Sequence, residues 1–248
     1  MIDRVGPALR PPGRAAMRMT WADLGFLHWA VPVAALRPLV PDVLEIDTFD
    51  GHAFVGLVPF TMRGVRPSFF PALPWLSSFH EVNVRTYVHH QGREPGVWFL
   101  SLDAANPIAV LVARTIWKLP YHFARMTLAR DGEAIRYVSD RRWPPPRPAA
   151  CTLRYEPIGP VLPAAVGTLE HFLVERYILY AFARGRPFCG RVHHAPYPLQ
   201  AGRVTALEES LLAAASLQRP EQPPFVHYAS GVEVEVFALE PAGNARAS

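Results

Sequence analysis

One segment near the middle of the chain alternates polar and apolar residues with the period of two that is typical of a β-strand. In the run FHEVNVRTYVHH, the branched apolar side chains and the polar side chains fall on opposite faces. The apolar face carries Val82, Val84 and Val88, and the other face carries Glu81, Asn83, Arg85 and Tyr87. The next run, QGREPG, predicts a hairpin turn, and VWFLSLD predicts the returning strand.

Other short runs with strand character lie on both sides of this hairpin. Their β-branched and aromatic residues, bounded by turn signals, predict strands in HAFVGLVPFTMRGV, YHFARMTLAR, EAIRYVSD, CTLRYEP, FCGRVHH, RVTALE, PFVHY and VEVEVFAL. Near the start, WADLGFLHWAV is compatible with a short helix or a strand.

Two longer apolar segments predict helices. Asn106 followed by Pro107 is a typical helix start, so a helix is predicted over 106–117, and we expect it to be buried because it is apolar on most sides. A second helix is predicted over 165–183, ended by Gly185. Its core-facing stripe would consist of Val166, Leu169, Phe172, Leu173, Tyr177 and Tyr180.

This set of elements predicts the fold class. Many strands, two inserted helices and no regular βαβ alternation predict a mainly β protein (α+β) with a mostly antiparallel sheet or barrel. Residues 1–18 are rich in Pro, Gly and Arg and predict a disordered tail. A single domain is expected over 19–240, with a flexible C-terminal tail over 241–248.

Composition excludes several classes of protein. About half of the 248 residues are hydrophobic and 19% are charged, which is typical of a globular domain. The net charge of +4 comes mostly from four arginines in the first 18 residues, so binding to nucleic acid is not expected. The sequence has no membrane-spanning or export segment and only two cysteines, so we expect a cytoplasmic protein without a membrane partner.

Several segments resemble one known family. The runs DTFDGHAFVGLVPFTMRGVR, FHEVNVRTYV, GVWFLSLDAAN, ARTIWKLPY, LEHFLVERYILY and VHHAPYPLQ are similar to the YqjF-like family, bacterial proteins with an acetoacetate decarboxylase-like fold. The resemblance covers residues from about 21 to 239. It implies a closed or nearly closed β-barrel with helices packed outside and a small-molecule cavity inside.

The wider superfamily supplies a motif for comparison. Its decarboxylases carry Gly-Arg-Glu-x-Trp-Gly-x-Pro-Lys-Lys, whose first lysine forms a Schiff base with a β-keto acid. Here residues 113–122 match its arginine, tryptophan and proline, but Tyr121 and His122 replace the lysine pair. Lys118, the only lysine, falls on the motif's glycine and ends a helix. We therefore expect Lys118 to be exposed and the reaction to proceed without a Schiff base.

The resemblance also suggests site residues. Glu81 matches a pocket glutamate of the decarboxylases, and in a barrel its polar face would line the cavity with Asn83 and Tyr87. A buried Glu81 needs a partner such as Arg85 or Arg114, and either arginine could bind a carboxylate. Glu81 would be the acid or base. The expected proton donors are Tyr121 and His122.

Other polar residues have ordinary explanations beside functional ones. Glu175 and Arg176 could project toward the barrel end as substrate-binding residues, but an exposed ion pair is favoured. The pairs His89-His90 and His193-His194 each offer at most one metal ligand, because neighbouring residues of a strand point to opposite faces. No metal or cofactor is expected.

Two functions remain open at this point. One is an enzyme with lyase- or hydrolase-like activity on a small carbonyl or carboxylate compound. The other is a barrel that binds a small ligand without chemistry. The partner expected in both cases is a small molecule, and a homo-oligomer is possible.

Overall fold

Strands dominate the molecule. A computed structural model describes residues 2–73 and 77–243. Its strands are β1 (Met17–Val31), β2 (Glu45–Ile46), β3 (Ala53–Pro67), β4 (Phe79–His90), β5 (Arg93–Ala104), β6 (Tyr121–Asp131), β7 (Ala134–Trp143), β8 (Ala150–Ile158), β9 (Ile178–Ala183), β10 (Arg186–His193), β11 (Leu199–Glu209), β12 (Phe225–Val236) and β13 (Glu240–Pro241).

The helices are short. They are α1 (Val33–Leu36), α2 (Pro107–Val112), α3 (Leu169–Val174) and α4 (Leu211–Ala214), with a π-helical turn over Ala113–Trp117 and 3₁₀ turns at Gly6–Ala8 and Arg37–Leu39. Across the described ranges, no helix combines the length and the apolar character needed to cross a membrane.

The strands close into rings of hydrogen bonds. Nine strands pair in the order β1, β3, β4, β5, β6, β7, β8, β11 and β12, and β12 pairs with β1 again. Strands β10 and β9 also connect β12 to β5, so they close a second ring together with strands of the first ring. The sheet is mixed, whereas a mostly antiparallel sheet was expected, because β5 pairs in parallel with both β6 and β9.

Strand β4 has both faces buried, because a different core lies on each side of it. Val82 and Val84 pack in one cluster with Leu27 and Ile135, whereas Tyr87 belongs to another. We call the cluster that contains Tyr87 the first core cluster. It includes Phe26, Phe54, Phe60, Tyr87, Tyr121, Phe172, Leu173, Tyr177 and Tyr197. The alternation read from the sequence is therefore confirmed, and its polar face points into a core.

The predicted second helix is only partly present. Residues 169–174 form α3, but residues 178–183 form strand β9, which pairs with β10 and β5. The run ILYAFA is aromatic and β-branched, and the turn at Arg184 and Gly185, both at positive φ, joins it to β10 as a hairpin. Strand pairing explains this half of the segment better than helical periodicity does. Val166 is exposed, contrary to the predicted stripe.

The first predicted helix is present over 107–117, but much of it is exposed. Asn106 caps it as expected, because its Oδ1 accepts hydrogen bonds of 3.0 Å from the amides of Ile108 and Ala109. Val110 is buried, whereas four large side chains face outward. They are Ile108, Leu111, Val112 and Ile116. The expectation of a buried helix is wrong, because the helix packs on the core along one side only.

The chain start also differs from the predicted tail. Arg4 donates to the buried Asp47 at 2.5 Å, and Arg10 donates to Glu235 at 2.6 Å. The amide of Ala16 bonds to Val236. These contacts hold the arginine-rich start against acidic groups of the sheet. At the other end, the predicted flexible tail lies outside the described residues from 244 onward.

Candidate functional site

Glu81 and Tyr121 form a buried hydrogen-bonded pair. The Tyr121 hydroxyl donates to Glu81 Oε2 at 2.7 Å, and Glu81 is 1% exposed. Burial raises the pKa of Glu81 to about 8, although the hydrogen bonds from Tyr121 and Asn83 oppose that rise. No described ion pair joins Glu81 to an arginine. The carboxyl is therefore largely neutral at pH 7 and holds a proton that it can donate.

Tyr121 and His122 point to opposite sides of β6. Tyr121 belongs to the first core cluster, whereas His122 Nδ1 lies 2.8 Å from the carbonyl oxygen of Pro144. Burial lowers the pKa of His122 to about 4. On its side lies a buried ion pair in which Arg141 donates to Asp103 at 2.7 Å. The prediction that His122 would share a site with Glu81 does not agree with this geometry, because adjacent strand residues alternate.

Arg114 and Arg85, the two arginines expected to pair with Glu81, have other contacts. Arg114 is half-buried at the surface, where it donates to the carbonyl oxygen of Tyr121 at 2.6 Å. Arg85 lies on the same face of β4 as Glu81, and its guanidinium carbon is 5.6 Å from the centre of the Phe26 ring. Its Nη2 donates to the carbonyl oxygen of Leu173 at 3.3 Å. Only Arg85 therefore joins the buried cluster.

Tyr87 connects β4 to α3. Its hydroxyl donates to the carbonyl oxygen of Leu173 at 2.6 Å and lies 2.7 Å from His28 Nε2. Since a hydroxyl has one proton, His28 must donate through Nε2, which leaves its Nδ1 unprotonated. Gly56 makes room for this imidazole, because a Cβ there would lie 2.8 Å from it. Burial and the nearby arginines lower the pKa of His28, so it stays neutral.

Arg176 is buried beneath the start of the chain. It donates to the carbonyl oxygen of Phe172 at 2.7 Å and to Asp47 at 2.9 Å. Its guanidinium carbon lies 4.8 Å from the centre of the Tyr87 ring. Burial lowers the pKa of Arg176 to about 10, although the nearby Asp47 opposes that decrease. The favoured interpretation, an exposed pair with Glu175, is wrong.

Glu175 lies in an aromatic pocket that sequence reasoning missed. Its carboxylate accepts from the Tyr177 hydroxyl at 2.5 Å and from the Tyr197 amide at 3.0 Å. The imidazole of His194 lies between the two tyrosine rings, with both centroids 4.6 Å away. Burial lowers the pKa of His194 to about 4. Strand alternation around the His193-His194 pair could have indicated that one of them points inward.

Several buried polar atoms around the first core cluster have no hydrogen-bond partner among the described residues. They are Trp21 Nε1, Asn83 Oδ1, Arg85 Nε and His194 Nε2. The rings of Trp21 and His194 lie 5.8 Å apart, and Arg85 lies over Phe26, whose ring is 5.3 Å from Tyr197. Buried polar groups normally find partners, so this set can offer hydrogen bonds to a small polar molecule.

Within the described ranges, no group of three or more His, Cys, Asp or Glu side chains is arranged to hold a metal ion. The buried imidazoles of His28 and His194 instead contact tyrosines.

Comparison with known proteins shows which family the chain belongs to. The family model DUF2071, described as an uncharacterized conserved protein, matches residues 18–233. The uncharacterized protein YqjF of Bacillus subtilis (strain 168) is 40% identical over 229 residues, which cover 92% of this chain and 93% of that protein. The chain belongs to this family. The resemblance to YqjF-like proteins is thus confirmed.

Solved structures similar to this family member share its fold at low identity. An acetoacetate decarboxylase from Legionella pneumophila matches with a TM-score of 0.66 and 13% identity, over 97% of this chain and 94% of that one. An acetoacetate decarboxylase-like enzyme from Sphingomonas wittichii RW1 matches with 0.64 and 13%, over 94% and 97%. The enduracididine biosynthesis enzyme MppR complexed with pyruvate matches with 0.60 and 14%, over 94% and 91%. The fold is acetoacetate decarboxylase-like.

Proposed function

We propose that the rings of strands form a barrel whose chamber binds a small carbonyl or carboxylate compound, and that Glu81, oriented by Tyr121, acts on it as a general acid. The hydrogen bond of 2.7 Å between these two buried groups carries the proposal. In the decarboxylase motif, Tyr121 occupies the position of the first lysine. The similarity of the fold to MppR, whose structure was solved in complex with pyruvate, supports a substrate of this class.

The chemistry proposed for Glu81 is proton donation. With a pKa of about 8, the buried carboxyl carries a proton at neutral pH. One of its oxygens accepts from Tyr121, so the proton lies on the other oxygen and can be donated to a carbonyl. Burial and the nearby Glu81 raise the pKa of Tyr121 well above its usual value, so the phenol stays protonated and keeps Glu81 oriented.

The binding role falls to the groups whose hydrogen-bonding capacity is not used. Arg85 Nε is a charged donor suited to a carboxylate, and Trp21 Nε1 is a second, neutral donor. Asn83 Oδ1 can accept from a hydroxyl or an enol. Tyr87, Glu175 and Arg176 shape the wall through the contacts described above. His122 and Arg114 are not included, because their contacts lie elsewhere.

A non-catalytic binding function is the second candidate. It is favoured by the fact that tyrosine hydroxyls already satisfy the two buried carboxyl groups, at 2.7 Å for Glu81 and 2.5 Å for Glu175. Such a wall can hold a ligand without transferring a proton. The two candidates differ in what Glu81→Gln does to binding and to turnover.

Titration calorimetry with pyruvate and acetoacetate, together with ¹H NMR of the same mixtures over time, tests both candidates. An enzyme should bind and convert one of the acids. Glu81→Gln should then abolish conversion, and Tyr121→Phe should reduce it, with binding retained in both. Binding without conversion in the wild type supports the second candidate. Arg85→Met should weaken binding in either case, whereas exposed Arg125→Met should not. Absence of binding to both acids and to related hydroxy acids would overturn the proposal.

A further inference from the structure

A groove of about 630 Å³ opens at the surface of the protein. It lies between the end of the 107–117 helix, strands β5 and β9, and the segment after α4. Its walls are formed by Leu39, Trp98, Phe99, Leu100, Arg114, Lys118, Leu119, Pro120, Phe182, Ala214, Ala215 and Ser216. A groove of this size can take a small organic molecule, for which pockets are typically about 300–1,000 Å³.

The charges of this groove all have one sign. Arg114 and Lys118 are its only charged lining residues in the described part of the chain, and every other lining residue except Ser216 is apolar. Neither cation belongs to an ion pair of the described residues. Arg114 donates to the carbonyl oxygen of Tyr121, and Lys118 Nζ donates to the carbonyl oxygen of Thr115. Both keep further N–H donors, so the groove is complementary to an anion.

The backbone at Lys118 supports a role for its side chain. Lys118 ends the helix with φ 57°, a left-handed conformation that glycine adopts without a steric penalty. The chain instead carries its only lysine there, among arginines everywhere else. The helix end by itself favours a cation, but it does not account for the apolar walls beside it.

We propose that this groove binds a small amphipathic carboxylate, with the carboxylate held between Arg114 and Lys118 and the apolar part along Trp98, Phe99 and Phe182. Arg114 would provide directed N–H donors, and Lys118 a mobile point charge. The groove lining contains none of the chamber's polar side chains, although Leu119 and Phe99 also pack in or against the first core cluster.

The single lysine makes a direct test possible. Reductive methylation with ¹³C-formaldehyde labels Lys118 and the amino terminus and leaves both charged, so each gives its own NMR signal. Titration with octanoate should shift the Lys118 signal saturably with a dissociation constant below about 1 mM, while the amino-terminal signal stays in place. Uncharged octanamide should bind at least roughly fivefold more weakly, because it lacks the charge that the two cations recognise.

Variants assign the binding to the groove. Arg114→Gln should weaken octanoate binding roughly fivefold or more, Arg114→Lys should retain most of it, and exposed Arg125→Gln should leave it unchanged. Lys118→Gln, which lacks the NMR label, is measured by calorimetry with the same expectation. The proposal would be overturned if the Lys118 signal showed no saturable shift up to about 10 mM octanoate. Equal affinity for octanamide, or unchanged octanoate binding by folded Lys118→Gln, would also overturn it.

Discussion

Tyr121 and Glu81 meet across strand β5, with the hydroxyl of one 2.7 Å from the carboxyl of the other. Glu81 lies on β4 and Tyr121 on β6, and both strands pair with β5. The parallel pairing of β5 with β6 sets the start of β6 beside the end of β5, which brings Tyr121 level with Leu102. The chain thereby holds the Glu81 carboxyl group in a buried setting, hydrogen-bonded by neutral donors and not by an arginine.

The first prediction concerns the pH dependence of stability. Burial gives Glu81 a pKa of about 8 in the folded protein, against an ordinary value of 4.5. The folded state therefore holds an extra proton between these values, and stability should fall as the pH rises through that range. Between pH 5 and 8.5 this effect should lower the unfolding free energy of the wild type by on the order of 3 kcal/mol. Urea unfolding of Glu81→Gln over the same range should lack that part of the decrease. Exposed Glu133→Gln should follow the wild-type curve. If the unfolding free energies of the wild type and Glu81→Gln changed with pH in parallel, the prediction would be contradicted.

The second prediction separates the partners of the pair. The hydrogen bond from Tyr121 lowers the pKa of Glu81, so Tyr121→Phe should raise that pKa above its wild-type value. Infrared titration of the protonated carboxyl band, assigned by its loss in Glu81→Gln, measures the shift. Tyr180→Phe is the control, since its hydroxyl bonds to the carbonyl oxygen of Glu94, away from Glu81. A lower pKa in Tyr121→Phe would mean that the tyrosine does not stabilise the carboxylate.

Strand alternation accounts for the part of the site that could be predicted from sequence. The four polar residues of β4 share one face because side chains alternate, and that inference needs no tertiary information. Which face is buried depends on what covers it. Here α3 and the tyrosines at 177 and 197 cover the polar face, and no local pattern records this packing.

The site predictions that are wrong also depend on tertiary contacts that the local sequence does not record. Glu175 and Arg176 follow α3 and are typical of an exposed pair, yet partners distant in sequence, Asp47 and Tyr197, bury them. His122 was grouped with Tyr121 because the two are adjacent in the motif, although adjacency on a strand separates side chains. The run ILYAFA fits both helical and strand patterns, and only pairing with β10 decides between them.

The third prediction concerns the ion pair on the other side of β5. Asp103 and Arg141 are 0% and 1% exposed in their side chains and lie 2.7 Å apart. Arg141→Met leaves an uncompensated buried carboxyl, so it should cost about 3–5 kcal/mol in urea unfolding at pH 8. The loss should shrink at pH 5, because burial raises the pKa of Asp103 to about 6 and protonation removes its charge.

Two controls bracket this result. The double variant Asp103→Leu, Arg141→Met removes both charges and should recover part of the loss. Arg154→Met breaks an exposed pair with Asp131 and should cost under about 1 kcal/mol. Equal losses in the buried and exposed variants would show that the Asp103–Arg141 pair is not desolvated.

The fourth prediction concerns the start of the chain. Arg4 donates to Asp47 and lies over the Phe172 ring at 4.9 Å, so Arg4→Gln should cost about 1–2 kcal/mol at pH 7. Burial raises the pKa of Asp47, but the arginines outweigh it and the net direction is down. The loss should therefore fade below about pH 3.8, where Asp47 takes up a proton. Exposed Arg14→Gln should have no effect. A loss under 0.5 kcal/mol, as for an unpacked tail, would contradict these contacts.

The last prediction concerns Lys118 as a nucleophile. A lysine forms a Schiff base when its amine is neutral, which a buried, apolar site favours, most of all beside a second cation. Lys118 has Arg114 as a neighbour in the groove, but it is not buried there. Lys118 is exposed at a helix end, bonded to the carbonyl oxygen of Thr115, and it lies outside the first core cluster. Borohydride reduction with acetoacetate, followed by peptide mass mapping, should therefore leave Lys118 unmodified. A stable adduct that Lys118→Arg abolishes would restore a decarboxylase-type mechanism and displace Glu81 and Tyr121 from the proposed one.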